Sequence, residues 1–295
     1  MIFPERSFIL HHGGLPVSSV APNPVAIVTG ASSGIGEATA RALHTAGFQT
    51  FAAARRIDRL RALEGSGIRA VSLDVTDDTS MREVVEGIIA TTGRIDVLVN
   101  NAGYGSYGAI EDVSPDEARR QFDVNVFGAM RMAQLTLPTM RERRTGTIIN
   151  VSSMGGRIYL PLGGWYHATK FAIEALSDCM RIEVAPHGVR VVVIEPGAIR
   201  TEWSGIAADS LDANSGFGAY ARLAQVVSRA MRADDMARRS SPPSLIANVI
   251  VKAAQSRRPR TRYVAGYLAR PLMTLRSLLP DRWFDMVVMR SIGAN

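Results

Sequence analysis

Residues 25–47 read VAIVTGASSGIGEATARALHTAG, and three kinds of local structure follow one another inside them. Val25 to Thr29 form a short, apolar, partly β-branched run of the kind that fills a buried strand. A turn of small residues comes next, and then a helical pattern closed by Gly47. The turn carries Gly30, Gly34 and Gly36, spaced G-x-x-x-G-x-G. Glycines between a strand and a helix let the backbone turn sharply and approach a pyrophosphate, whose charge is met by the amides of the helix N-terminus. A three-glycine pattern alone is weak; the flanking strand and helix make a dinucleotide site its leading reading.

The alternation continues outward. Strands are expected over 48–54, 68–74, 95–103 with its loop, 146–153 and 189–197. Helices are expected over 56–63, 81–93, 114–142 and 164–186. Ser114 caps the long helix, Pro115 opens its first turn, and Asp116 and Glu117 sit near its positive end. Strands alternating with helices at this spacing predict a mostly parallel sheet covered on both faces, with right-handed crossovers. After Gly197 the pattern loosens: residues 201–241 are rich in Ala, Ser, Gly and Asp, and a segment of that length reads as a lid over a substrate. A helix over 241–255, an edge strand over 261–266 and two amphipathic helical pieces over 267–292, broken at Pro271 and Pro280, complete the pass. There is no internal repeat and no sign of a second domain.

The chain has 295 residues, 46% hydrophobic and 21% charged, enough for one large α/β domain. The expected organisation is an extension over 1–23 and a single domain over 24–295, with a basic amphipathic segment at 263–295. Its single cysteine, Cys179, excludes an intrachain disulfide and is expected to fill core space. The first residues lack the apolar run of a signal peptide, and no run reaches the ~18 residues of a membrane span. A reducing cytoplasm is therefore expected, with membrane association as the alternative. His11 and His12 have no matching ligand cluster, so no metal site is expected.

The net charge of +7 is unevenly placed. Residues 236–295 hold eleven basic residues against Asp281 and Asp285, a local +9. No nucleic-acid reading motif accompanies them, and nucleic acid is not expected as a partner. Two readings stand for the C-terminal stretch, with its Tyr, Leu, Trp and Phe among arginines. The plainer is packing against the domain or a second subunit; the other is contact with an anionic membrane surface. Of the 34 basic residues 32 are arginine, leaving only Lys170 and Lys252. Lys170 closes the stretch Tyr166-His-Ala-Thr-Lys170, where a phenol and an ammonium lie one helical turn apart on one face.

TGASSGIG (29–36), NNAG (100–103), Asn125, Ser153 and YHATK (166–170) occur in the order and at the approximate spacings of the classical short-chain dehydrogenase/reductase family, which the chain resembles from about residue 25 to 201. The resemblance implies a Rossmann-type doubly wound sheet of about seven strands. It also implies that Tyr166 is the general acid/base, that Lys170 lowers its pKa and holds the nicotinamide ribose, that Ser153 hydrogen-bonds the substrate oxygen, and that Asn125 supports a proton-relay water. Ser153 is preferred to Ser152 because it lies thirteen residues before Tyr166, as in the family pattern. A free phenol titrates near 10, and a neighbouring cation favours the phenolate. His167, beside the pair, is expected to be exposed and not catalytic.

For the cofactor, the resemblance places Gly30, Ser32, Ser33, Gly34, Ile35 and Gly36 on the pyrophosphate side, Asp74 and Val75 at the adenine, and Asn101, Ala102 and Gly103 along the dinucleotide. Lys170, Pro196, Gly197 and Thr201 fall at the nicotinamide end. Where NAD-specific relatives carry an acid after the second strand, this chain has Ala54, Arg55 and Arg56. Two guanidiniums suit a 2′-phosphate, so NADP is expected, with NAD as the alternative. The substrate is expected between 104–107, 155–165 and 202–240, with Ser153, Tyr159, Tyr166 and Trp203 as contacts. Those stretches hold apolar groups and no cluster of charges, favouring a lipophilic carbonyl or alcohol. The expected activity is interconversion of an alcohol and its ketone or aldehyde by hydride transfer. A dinucleotide-binding redox sensor is the alternative, and a homodimer or homotetramer is implied by resemblance alone.

Overall fold

The computed structural model describes residues 23–293. The extension expected over 1–23, with His11 and His12, lies outside the described residues except for its last position. Seven strands form one sheet: β1 (Val25–Thr29), β2 (Gln49–Ala54), β3 (Arg69–Ser72), β4 (Val97–Asn100), β5 (Gly146–Val151), β6 (Val189–Pro196) and β7 (Arg262–Ala265). Their order is β3-β2-β1-β4-β5-β6-β7, and every pairing is parallel. The central strands are buried along their whole length because helices cover both faces. This is why they read as continuous apolar runs and not as alternating ones.

Helices α1 (Gly34–Thr45), α2 (Ile57–Glu64) and α10 (Pro243–Gln255) build one layer, with Leu43, Leu60, Ile246 and Ile250 in its core. On the other face lie α3 (Asp78–Thr92), α5 (Ala129–Glu142) and α6 (Gly164–Val184), with Val85, Met132 and Met180. The order of strands reverses direction between β1 and β4, and in open α/β sheets ligands bind at the carboxyl ends of the strands flanking such a reversal.

Four expectations are corrected. The long helix is interrupted: α4 (Pro115–Phe122) passes through a π-helical stretch, Asp123–Gly128, into α5. Residues 201–241 are not loose but helical, as α7 (Trp203–Ser215), a short 3₁₀ turn (Gly218–Tyr220), α8 (Ala221–Arg232) and α9 (Asp234–Arg239). Pro271 does not break the C-terminal pair, because it stands in the first turn of α11 (Ala269–Leu278), where a missing N–H costs nothing. Pro280 does break it, capping α12 (Asp281–Ser291). Cys179 is exposed on α6 and does not fill the core.

The edge strand β7 is tied to α6 by Arg262, which bonds Glu174 (3.1 Å) and Asp178 (2.6 Å). Helices α11 and α12 pack through a separate small cluster in which Phe284 and Val288 meet Ile158, Leu160, Leu272 and Met273. Phe284 is 1% exposed and its ring stands edge-on to Tyr159. A Phe284→Ala substitution is expected to cost about 3–5 kcal/mol at this cluster. Hydrogen exchange should show α11 and α12 losing protection while β1 and β4 keep theirs.

Candidate functional site

The carboxyl ends of β1 and β4 are clamped by one hydroxyl. Thr29 Oγ1 donates to the Val99 carbonyl (3.3 Å) and accepts from the amides of Asn101 and Ala102 (3.0 Å each). The Asn101 side-chain Nδ2 donates in turn to the Thr29 and Gly30 carbonyls. This brings the glycine turn so close to the β4 loop that side chains do not fit. Gly30 has φ +66°, and a Cβ there would lie 2.8 Å from the Ala102 Cα. A Cβ on Gly36 would run into the Gly30 carbonyl oxygen.

Helix α1 starts directly behind this turn. Ser33 stands at its N-cap in extended conformation and makes no side-chain cap bond, so the first amides of the helix have no capping side chain. Ser32 accepts from Arg56 (3.2 Å), Ile35 packs on the core, and Gly34 faces Thr201. An uncapped helix start behind a turn that excludes any Cβ fits the phosphates of a dinucleotide.

Ala54 is buried at the end of β2, and Arg55 and Arg56 follow it, both exposed. Across from them Asp74 accepts from the Thr76 amide and hydroxyl. Burial opposes its ionisation, but the Thr76 bonds and the Arg55 charge prevail and hold its carboxyl below the usual range. Val75 is buried beneath the π-helical stretch, touching Gly128.

The π-helical stretch positions Asn125. It is buried, donates to the Tyr104 carbonyl (2.8 Å) and Thr169 Oγ1 (3.1 Å), and accepts from the Tyr104 amide (3.0 Å). Asn125 and Lys170 flank Gly103 from two sides, since a Cβ on Gly103 would lie 3.0 Å from Asn125 Oδ1 and 3.7 Å from Lys170 Nζ. π-helical insertions in α-helices are frequently found at functional sites.

On α6, Tyr166 and Lys170 are both buried, at 7% exposure. Lys170 donates to the Val151 carbonyl at the end of β5 (3.0 Å), and its ammonium stands 5.9 Å from the centre of the Tyr166 ring. Burial pulls its pKa down to about 8 against the charge of Glu174, one turn on. Ser153 lies close enough to Tyr166 to favour its phenolate, and its hydroxyl accepts from the Gly155 amide (3.0 Å). The expected lowering of the phenol pKa by Lys170 is corrected here: burial dominates and pushes Tyr166 up to about 12, with Ser153 opposing. That burial comes from Tyr107 and Trp203, whose rings lie 5.8 and 5.1 Å from the Tyr166 ring.

Trp203 opens α7, and the cluster around Tyr166 includes Leu162, Ala207, Leu211, Ala224 and Val227. The helices over 201–241 therefore cover Tyr166 with apolar side chains. Pro196 ends β6 and Gly197 follows it, donating to the Ala265 carbonyl and packing on Tyr267, and Thr201 accepts from the Trp203 amide.

Tyr159 is the expected substrate contact that lies elsewhere. Its hydroxyl donates to Asp285 (2.9 Å) and its ring packs on Phe284, which turns it to the C-terminal helices and away from Tyr166. His167 is also corrected, from exposed to buried. Its Nε2 accepts from the Leu160 amide (3.0 Å), which requires the proton on Nδ1, facing the Gly155 carbonyl (2.9 Å). Burial lowers its pKa, and with both ring nitrogens engaged it fastens the 155–160 loop. Nothing in the sequence marked it, because the face of α6 that is buried widens near its start.

Glu195 lies fully buried on β6, with Arg262 3.5 Å away and one carboxylate oxygen lacking a hydrogen-bond partner. Burial, then Glu174 and Asp178, outweigh Arg157 and Arg262 and raise it from 4.5 to about 7. A raised folded-state pKa means the folded protein binds this proton more tightly than the unfolded chain. Its stabilising contribution is therefore complete below about 4.5 and declines as pH rises toward 7. Glu195→Gln should flatten that decline, so that the melting temperature falls less between pH 5 and pH 8 than in the wild type; an unchanged slope would contradict the assignment.

The family model for short chain dehydrogenases matches residues 24–210. A probable short-chain type dehydrogenase/reductase of Helicobacter pylori is 34% identical over 270 residues, covering 88% of this chain and 95% of that protein. A 3-ketodihydrosphingosine reductase of Bacteroides thetaiotaomicron is 34% identical over 260 residues, covering 87% and 93%. Among solved structures, the closed form of a serine dehydrogenase complexed with NADP+ is similar with a TM-score of 0.72 and 25% identity, covering 82% of this chain and 94% of that one.

Proposed function

The chain belongs to the short-chain dehydrogenase/reductase family, and on that premise we propose that it is an NADP(H)-dependent oxidoreductase interconverting a lipophilic alcohol and its carbonyl compound. The observation that carries this reading is the setting of Tyr166: a phenol next to Ser153, beside a buried ammonium, and enclosed by an apolar cluster. NADPH, when bound, supplies hydride to the carbonyl carbon.

The residues of the chain manage the proton and the positions. Ser153 donates a hydrogen bond to the carbonyl oxygen and orients it. Tyr166, kept protonated by its burial, releases the phenolic proton to that oxygen as negative charge develops there. Lys170 places positive charge next to the phenolate so formed and holds ribose hydroxyls. Asn125, whose amide is committed to Tyr104 and Thr169, fixes the 103–104 loop beside Lys170. Gly30, Ser32, Ser33, Gly34, Ile35 and Gly36 receive the pyrophosphate, Asp74 and Val75 border the adenine, and Asn101, Ala102 and Gly103 line the path between. Pro196, Gly197 and Thr201 bound the nicotinamide. Arg55 and Arg56 pair with the 2′-phosphate of NADP, a reading that the NADP+ complex of the similar serine dehydrogenase supports.

Trp203, Leu162 and Leu211 favour an apolar substrate, and the likeness to a 3-ketodihydrosphingosine reductase agrees with a long-chain ketone. The lid is the helical segment over 201–241, part of a single domain over 24–295. Exposed Phe127, Phe171, Leu176 and Ile182, on the π-helical stretch and α6, support a homodimer or homotetramer.

The test is turnover of a panel of lipophilic ketones followed by nicotinamide absorbance. Tyr166→Phe should lower kcat by roughly 10²–10⁴-fold while dinucleotide binding is retained. A variant that keeps full turnover sinks the assignment. Replacing both Arg55 and Arg56 by Ala should shift the NADPH/NADH preference roughly tenfold or more toward NADH, read as the ratio of kcat/KM values.

A further inference from the structure

Helix α12 buries only one of its faces. Phe284 and Val288 dock it onto the domain, whereas Trp283, Met286 and Val287 are 62%, 42% and 39% exposed. With Arg290 these three occupy positions i, i+3, i+4 and i+7, so they form one continuous stripe along the helix. Leu278, 74% exposed at the end of α11, extends the apolar surface. Exposed apolar side chains scattered singly are ordinary, but a tryptophan within a helical stripe of this kind is not.

The charged side chains on the stripe's own side of α12 are arginines. Arg290 ends the stripe and Arg282 flanks it, both exposed, and exposed Arg270 and Arg157 line, with Met273 and Leu279, a groove of ≈ 710 Å³ along α11. The two acids of this region are engaged elsewhere: Asp281 with Arg276 (2.6 Å) and Asp285 with the Tyr159 hydroxyl (2.9 Å). Asp281 and Asp285 lie one turn apart on the flank next to the docked face, away from the stripe. An apolar band with an indole at its centre and arginines at its margins complements the interface of an anionic bilayer: the indole and aliphatic groups enter the headgroup region and the guanidiniums meet lipid phosphates.

We propose that α12, with the end of α11, is a docking surface for anionic membranes, holding the protein peripherally by Trp283, Met286, Val287, Leu278 and the surrounding arginines. No helix among the described residues is long and apolar enough to cross a membrane, so the contact is with one leaflet. The proposal goes beyond the oxidoreductase reading and does not rest on it, since vesicle binding needs neither cofactor nor substrate.

The test is co-sedimentation of the full chain with phosphatidylcholine vesicles, with and without roughly one-third phosphatidylserine. The expected result is binding to the anionic vesicles, little binding to the neutral ones, and loss at high salt. Trp283→Ser and Val287→Ser should each weaken binding at least about fivefold, and Arg282→Gln with Arg290→Gln should abolish the difference between the two vesicle types. Because these side chains are exposed, the variants should keep the wild-type melting temperature and turnover of a water-soluble substrate. Absence of binding to anionic vesicles would overturn the proposal. So would a wild-type oligomer that Trp283→Ser dissociates while vesicle binding is unchanged, which would assign the stripe to a second copy of the chain.

Discussion

The hydroxyl of Thr29 holds together the two strands between which the rest of the site is arranged. One oxygen serves three backbone groups, giving its proton to Val99 and taking those of Asn101 and Ala102. A hydroxyl has one proton and two lone pairs, so its capacity is fully used. The glycine turn is thereby pressed against the β4 loop at a distance no side chain tolerates, and the start of α1 is left open toward whatever anion lies above it. Valine is nearly the same shape as threonine and would occupy the same space. It would leave two buried amides without an acceptor, a loss of about 1–3 kcal/mol for each.

The second half of the site is built from α6 and from what presses on it. Tyr166 and Lys170 are one turn apart, but each has a different neighbour, Ser153 beside the phenol and the Val151 carbonyl bonded to the ammonium. Both neighbours belong to the end of β5 and its following turn, so a single segment sets the phenol and the ammonium. His167, between them, pins the continuation of that segment through the Leu160 amide and the Gly155 carbonyl. Three side chains within little more than one helical turn thus rest on one strand end and the loop that follows it. The cover to which Trp203 contributes raises the proton affinity of the phenol, because removing water from around it disfavours the phenolate more than Ser153 favours it.

How much of this was legible in the sequence follows from what each element is made of. The strands were clear because a parallel sheet buried on both faces demands unbroken apolar runs, as in Val25–Thr29 and Val189–Pro196. The glycines, Tyr166 and Lys170 were marked by spacing within single elements. The helices over 201–241 were not, although α7 buries Ala207, Ala208, Leu211 and Ser215 at helical intervals. Its inward face is built of small residues, and a periodicity carried by Ala and Ser has little contrast with its surroundings. The π-helical stretch at Asn125 has no local signature, since its register depends on contacts with Tyr104 and Thr169 that are distant in sequence. Tyr159 was misplaced for a similar reason: only the fold of α12, more than a hundred residues later, provides Asp285 as its partner.

The scarcity of lysine, set beside the burial of Lys170, gives the molecule an unusual spectroscopic simplicity. Lys252 stands exposed on α10 while Lys170 is enclosed. Reductive methylation with isotopically enriched formaldehyde would therefore install a freely accessible reporter at Lys252, beside that of the terminal α-amine, and reach the Lys170 ε-amine only as its enclosure opens, so that the growth of a further resonance would record how often it does.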